Sequence, residues 1–388
     1  MQGVPHASCA KGEGLMGYTV GVVGGGQLAR MMVPPAIELG IGIRVLAENE
    51  GESAAIAVSQ LGSPRNLDDL LRFGQGVDVL TFDHEHVPQE HLRALVAAGV
   101  AVRPGPHALL FAQDKIWMRQ RLSALAQPVP DWAEVTGPDG LAAFLADHGG
   151  RAVLKTPTGG YDGKGVRVVT SPDDAADWLG DAGRPLLVEE LVEFRRELSQ
   201  LVARRPSGDI ALWPLVETTQ RNGVCAEVIA PAPRSAGRLA DAAADIATTV
   251  AAELDVTGVL AVELFETTDD RLLVNELAMR PHNTGHWTIE GSTTSQFEQH
   301  LRAVLDLPLG ATGVREPWSV MVNVLGGPSA GEYVGRYPRA LADQPTVKVH
   351  GYGKTPRPGR KVGHVTATGD DLDDVVYRAR AAAAFFDA

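Results

Sequence analysis

Hydrophobic positions along this chain follow two successive rhythms. Over the first hundred residues, short apolar runs alternate with helix-length amphipathic stretches. Residues 18–23 are β-rich, Gly24-Gly25-Gly26 breaks the run, and residues 27–39 carry helix formers with Met31 and Met32 placed for burial. Further strands are predicted at 43–47, ending at Glu48, and at 77–82, after a helical stretch at 67–73. Strands alternating with helices predict a parallel sheet. An amphipathic helix over 114–125 leads to Pro128-Val129-Pro130, the expected entry to a second unit. Beyond it the rhythm shortens, with strands expected at 152–154, 166–169, 186–190, 198–204 and 210–213, separated by glycine turns and so antiparallel. An alanine-rich helix over 235–254 precedes strands at 259–265 and 271–277; residues 308–317 read as a linker and 318–388 as a small third unit rich in Gly and Pro.

Length agrees with several units, since 388 residues at about 150 per domain exceed one core. The expected boundaries are a loose extension over 1–16, with Met16 a candidate start, and domains over 17–113, 114–310 and 311–388. A net charge of −13 argues against a surface for nucleic acid. Cys9 and Cys225 lie far apart without CxxC or Cys/His spacing, so neither a disulfide framework nor a zinc site is expected, and a reducing cytoplasm fits. No apolar run reaches the roughly 18 residues of a membrane span.

Gly24-x-Gly26-x-x-Ala29, with Glu48 closing the next strand, matches a dinucleotide fingerprint. Taken alone it suggests a nicotinamide-dependent oxidoreductase. A tight strand-to-helix turn needs the same glycines, however, and the rest of the chain points elsewhere. Residues 155–165, Lys-Thr-Pro-Thr-Gly-Gly-Tyr-Asp-Gly-Lys-Gly, put four glycines and two lysines between two strands. Such a loop lets successive amides approach a phosphate chain while Lys155 supplies a fixed charge, although GxxxxGK[ST] is absent. If Asp269-Asp270 is a two-residue turn, Glu263 sits directly opposite Glu276 on a hairpin. Facing carboxylates repel unless a cation lies between them, and oxygen ligands of this kind suit Mg²⁺. The polar stretch 280–287 follows at once, with Arg280 suited to a carboxylate-like anion, and Lys354, Arg357, Arg360 and Lys361 cluster late in an acidic chain.

Lys155, the loop Gly160–Gly165, Glu189-Glu190, Glu197, Glu263 and Asn275-Glu276 together resemble the ATP-grasp superfamily. Within it, residues 160–165, 275–288, 295–298 and 357–364 resemble the N5-carboxyaminoimidazole ribonucleotide synthetase family, over a match running from about Tyr18 to the C-terminal region. The resemblance implies an α/β fold of three parts: a Rossmann-like N-terminal domain, a two-lobed ATP-grasp centre and a small C-terminal domain. It implies carboxylation of the exocyclic amine of 5-aminoimidazole ribonucleotide by ATP and bicarbonate through carboxyphosphate, with Mg²⁺, in a homodimer. Carried over residue by residue, Lys115 and Lys155 would meet the nucleotide phosphates, and Gly160, Tyr161, Asp162, Gly163, Lys164, Gly165 and Val166 would close over them. Glu189, Glu190, Leu191 and Val192 would lie along the adenine, Glu197 would hold the ribose, Gln220 would line the pocket, and Glu263 and Glu276 would hold Mg²⁺ with Asn275 nearby. Tyr161, Asp162, Arg280, Lys354, Arg360 and Lys361 would face the ribonucleotide, with Arg280, His282, Asn283 and Asp162 at the reacting groups. One departure is Ala278, where many superfamily members carry Asn two residues after the metal-binding Glu. Another ATP-grasp ligase or transformylase for a purine ribonucleotide is the alternative within the superfamily. A nucleotide-sensing module without catalysis would leave the metal carboxylates unexplained.

Overall fold

The computed structural model describes residues 17–160, 165–180, 185–327 and 330–386, without the side chains of 330 and 331. The expected extension over 1–16 and the loop residues Tyr161, Asp162, Gly163 and Lys164 lie outside the described residues. In the first unit, β1 (Thr19–Val23), β2 (Gly42–Ala47), β3 (Val58–Leu61) and β4 (Val79–Phe82) form a parallel sheet in the order β3-β2-β1-β4. All of β4 and most of β1 are buried, as strands covered on both faces require. The helix Gln27–Glu38 lays Leu28, Met31 and Met32 into a cluster shared with Phe297, Leu301 and Val304 of the helix Gln296–Val304. That contact ties the first unit to the central one. β3 shows no apolar run, because its residues alternate between partial burial and exposure at the sheet edge.

A second sheet, antiparallel and in the order β5-β8-β6-β7, comprises β5 (Trp132–Val135), β6 (Ala152–Lys155), β7 (Val166–Val169) and β8 (Leu186–Glu190). Leu141, Phe144 and Leu145, on one face of the helix Pro138–Asp147, close its core. The third sheet holds β9 (Phe194–Arg204), β10 (Ile210–Leu212), β11 (Val216–Arg221), β12 (Val224–Ala230), β13 (Gly258–Thr267), β14 (Leu272–Ala278), β15 (Trp318–Leu325), β16 (Lys348–Gly351) and β17 (Lys361–Gly369). Its order is β14-β13-β9-β11-β12-β15-β17-β16, with β10 on β9. The strands of the C-terminal stretch therefore continue the central sheet through β12–β15 pairing.

The hairpin of β13 and β14 reaches the expected pairing by another route. Its tip is Thr268-Asp269-Asp270 rather than the two-residue turn expected from sequence: Thr267 N donates to the Arg271 carbonyl at 2.9 Å, and Asp270 takes φ +64. From there Leu264 faces Val274, one step out of the expected register, until a bulge at Asn275 restores it and sets Glu263 opposite Glu276. The extra residue at the tip and the extra residue in the strand compensate. A bulge of this kind bends the strand and re-aims the side chains beside it, here Asn275 and Glu276.

Candidate active site

The cleft between the second and third sheets is built around Lys155, the last residue of β6, paired with Val166 on one side and Leu187 on the other. Its ammonium lies 2.5 Å from Glu189 Oε2 and donates to Asn275 Oδ1 at 3.3 Å. Lys115 arrives from the helix Lys115–Ala124, whose first turn is capped by Asp114 accepting from the amides of Ile116 and Trp117. Its Nζ meets Glu276 Oε1 at 2.5 Å, and its amide donates to the Pro157 carbonyl at 2.9 Å, joining the helix to the glycine loop. In that loop Gly165 has φ +71, and a Cβ there would stand 2.4 Å from Thr156 Oγ1, so glycine is required. Gly160 is half-buried and Val166 exposed.

Alternation along β8 separates the two adjacent glutamates. Glu189 points inward and is bound by Arg119 and Lys155, so its side chain is occupied by protein cations. Glu190 points the other way and accepts from Asp131 N at 3.1 Å. Leu191 and Val192 follow, half-buried. Glu197 on β9 lies between Thr218 and Phe265, and burial pushes its carboxyl up to about 7. Gln220 is half-buried beside a bulge of β12 at Ala226, opposite Cys225, whose thiol burial pushes up to about 12 and so keeps protonated.

Glu263 has its carboxyl raised to about 7, first by burial, then by Glu276 and Glu197. His282 Nε2 lies 3.3 Å from Glu263 Oε1. Among the described residues no group of three or more His, Cys, Asp and Glu is placed to hold a metal ion, so the protein offers two facing carboxylates here. That donor set fits a hard cation whose remaining ligands are phosphate oxygens and water. No Asn stands at 278, and the bulge places Asn275 beside Lys155.

On the other side of the carboxylate pair, Glu85 holds Arg280, receiving its Nε at 2.6 Å and the Met279 amide at 3.0 Å. His282 Nδ1 lies 2.9 Å from Thr284 Oγ1, and burial lowers the ring's pKa well below its ordinary value, so it is neutral. Asn283 is buried, and both its amide atoms lack a nitrogen or oxygen partner among the described residues. Its side chain hydrogen-bonds the buried Cys225 thiol. Lys354 is bonded to Gln27 of the first unit, and its charge acts on buried Asp83; the charge of Lys361 acts on Glu263 and His282. Arg360 is exposed and donates to the Thr355 carbonyl at 2.9 Å. The structure therefore brings Lys354 and Lys361 toward Arg280 and the carboxylates and leaves Arg360 on the rim.

Sequence reasoning missed Glu85, Asp83 and Arg119, because an acid after a buried strand or a basic residue inside a helix carries no local signature. The glycine turn is explained by Glu52 and Asp83. Gly25 N donates to Glu52 Oε2 at 3.2 Å and Ala29 N to Asp83 Oδ1 at 2.9 Å, while a Cβ on Gly26 would lie 2.0 Å from Asp83 Oδ2. The protein's own carboxylates thus take the amides that a dinucleotide phosphate would need. Glu48 accepts from Ser63 Oγ at 2.9 Å.

Comparison with known proteins places the chain among its relatives. The family model described as ribonucleotide synthetase preATP-grasp domain matches residues 17–113, the ATP-grasp domain 120–297, and the phosphoribosylaminoimidazole carboxylase C-terminal domain 319–378. The N5-carboxyaminoimidazole ribonucleotide synthase of Mycobacterium tuberculosis is 53% identical over 371 residues, 94% of this chain and 86% of that protein. The crystal structure of the Thermus thermophilus synthetase is similar with a TM-score of 0.85 at 36% identity, over 95% of this chain and 99% of that one. The Aspergillus clavatus synthase, in complex with ADP and 5-aminoimidazole ribonucleotide, gives a TM-score of 0.84 at 32% identity, over 94% and 97%. With the nucleotide cleft and the facing carboxylates in place, this chain belongs to the N5-carboxyaminoimidazole ribonucleotide synthase family of ATP-grasp enzymes.

Proposed function

We propose that this protein uses ATP and bicarbonate to carboxylate the exocyclic amine of 5-aminoimidazole ribonucleotide, and that the residues gathered above carry out the reaction. The observation that carries the reading is Glu263 set directly opposite Glu276, with Lys115 on Glu276, Lys155 beside Asn275 and His282 on Glu263. Two anions must meet in such a reaction, so fixed cations serve it better than a covalent nucleophile. Lys115 and Lys155 would take the nucleotide phosphates, with Gly160–Gly165 above them, and Glu197, Gln220 and the strand through Glu190, Leu191 and Val192 would take the nucleoside. Glu263 and Glu276 would hold Mg²⁺, which supplies charge neutralisation of the phosphates when bound.

Arg280, held in orientation by Glu85, would present two parallel donors to bicarbonate, and the Asn283 amide would satisfy the remaining oxygen. A bicarbonate oxygen attacks the γ-phosphorus, and ADP leaves. The substrate amine then attacks the carboxyl carbon of carboxyphosphate, phosphate leaves, and the amine proton passes to a base, a role that neutral His282 would fill. Lys354 and Lys361 would bind the ribonucleotide phosphate from the C-terminal side.

The family resemblance also carries a homodimer and a cytoplasmic location as part of this reading; no helix among the described residues is long and apolar enough to cross a membrane. The test is ADP release with bicarbonate and Mg²⁺, with and without aminoimidazole ribonucleotide. Stimulation by the ribonucleotide and loss of turnover with a chelator are expected. Turnover indifferent to both would overturn the proposal.

A further inference from the structure

We infer that Arg119 is a positioning residue that keeps the charge of Lys155 available to a nucleotide phosphate by taking up the charge of Glu189. The inference rests on the reading that Lys155 meets the polyphosphate. Three elements converge on this one guanidinium. Arg119 projects from the helix Lys115–Ala124 with no exposure, its Nε donates to Glu189 Oε1 on β8, and its Nη2 donates to the Asn275 carbonyl on β14 at 2.7 Å. Glu189 gives its second oxygen to Lys155 at 2.5 Å. Two cations therefore share one carboxylate.

Charge balance decides what this arrangement does. The side chains of Arg119, Glu189 and Lys155 are 0%, 3% and 11% exposed. Burial alone would push the Glu189 carboxyl up, but Arg119 and Lys155 together hold it at about 2, so it remains an anion. One cation cancels it, and one positive charge is left over. That excess belongs to the least buried member, Lys155, at the end of the strand that opens into the glycine loop. Without Arg119, Lys155 and Glu189 would form a closed neutral pair, and the attraction for phosphate would fall. The same guanidinium also pins the carbonyl of Asn275, whose side chain is the second neighbour of Lys155.

The test is a charge-restoring double variant. Arg119→Met should raise the KM for ATP about tenfold to a hundredfold, the scale of one charge-assisted phosphate contact. Arg119→Met/Glu189→Gln removes both the cation and the anion it cancels, so it should recover at least about tenfold of that loss. Thermal unfolding of each variant reports folding alongside the kinetics. Arg119→Lys, which can meet Glu189 but not span to the Asn275 carbonyl, should give a KM between those of the parent and Arg119→Met. Should Arg119→Met fail to fold, the double variant is compared with the parent directly: a KM within about fivefold supports the inference, and a larger rise overturns it. A purely structural role predicts a double variant no better than Arg119→Met, and that result overturns the charge-balance inference. Lys155→Met separates the two levels of argument. If it leaves the KM for ATP unchanged, the phosphate reading of Lys155 fails and takes this inference with it. If it raises KM while the double variant shows no recovery, only the inference about Arg119 fails.

Discussion

Replacing Glu263 by Gln should stabilise the metal-free protein at alkaline pH while abolishing most of its turnover. The Glu263 side chain is 26% exposed and faces Glu276 across the hairpin. Burial and the neighbouring Glu276 and Glu197 raise its carboxyl to about 7, against an ordinary 4.5. A group whose folded pKa is raised in this way is penalised when charged, so stability is lost as pH rises from 4.5 through 7. The gap corresponds to about 3 kcal/mol at 1.36 kcal/mol per unit, which solvent access and coupling to Glu276 reduce to about 1–2 kcal/mol. His286 and His364 act in the opposite sense: burial drives both well below 6.5, so their contribution is present above that pH and lost below it. Both proteins carry them, so they drop out of the difference. Thermal unfolding with a chelator should therefore give similar midpoints for the two proteins at pH ~5 and a midpoint on the order of 2–4 °C higher for Glu263→Gln at pH ~8. ADP release should fall by about a hundredfold or more, as expected for loss of a metal ligand. A variant less stable than its parent at alkaline pH, or offset equally at both, would refute the repulsion argument.

Two further predictions follow from the substrate side. Glu85→Gln removes the charge that orients Arg280 but leaves the Met279 amide an acceptor; kcat/KM for bicarbonate should drop about tenfold to a hundredfold with the KM for ATP nearly unchanged, and equal loss for both substrates would assign Glu85 to folding. Lys354→Ala should raise the KM for aminoimidazole ribonucleotide about tenfold or more, and exposed Arg360→Ala by less, in the same ADP-release assay; a larger effect at Arg360 would reverse the inward and outward assignment of this loop.

Strand and helix periods and proline and glycine positions are local properties, and they were readable. The alternation of β1, β2 and β4 with helices announced a parallel sheet, and the shorter rhythm after Pro130 announced antiparallel strands. Glu263 opposite Glu276 came out as expected only because the extra residue at the tip and the extra residue at Asn275 cancel, and neither was legible in the sequence. β3 and β11 were missed because an edge strand and a strand of polar residues have little apolar contrast, and β5, β12 and the strands β15, β16 and β17 were not assigned either.

What the tertiary structure decided is which charges meet. Arg119 and Glu189 are 70 residues apart in sequence, Glu85 and Arg280 are 195, and Lys354 and Gln27 are 327. No periodicity links such positions, because their approach depends on how a helix, the second sheet and a C-terminal loop pack on one another. The same packing put Glu52 and Asp83 onto the amides of the glycine turn and turned a dinucleotide fingerprint into an internally capped one. The sequence thus determined the elements and the chemistry each can offer. Their packing determined which carboxylates are neutralised by the protein itself and which are left facing one another, because electrostatic energy depends on distance and burial rather than on order along the chain.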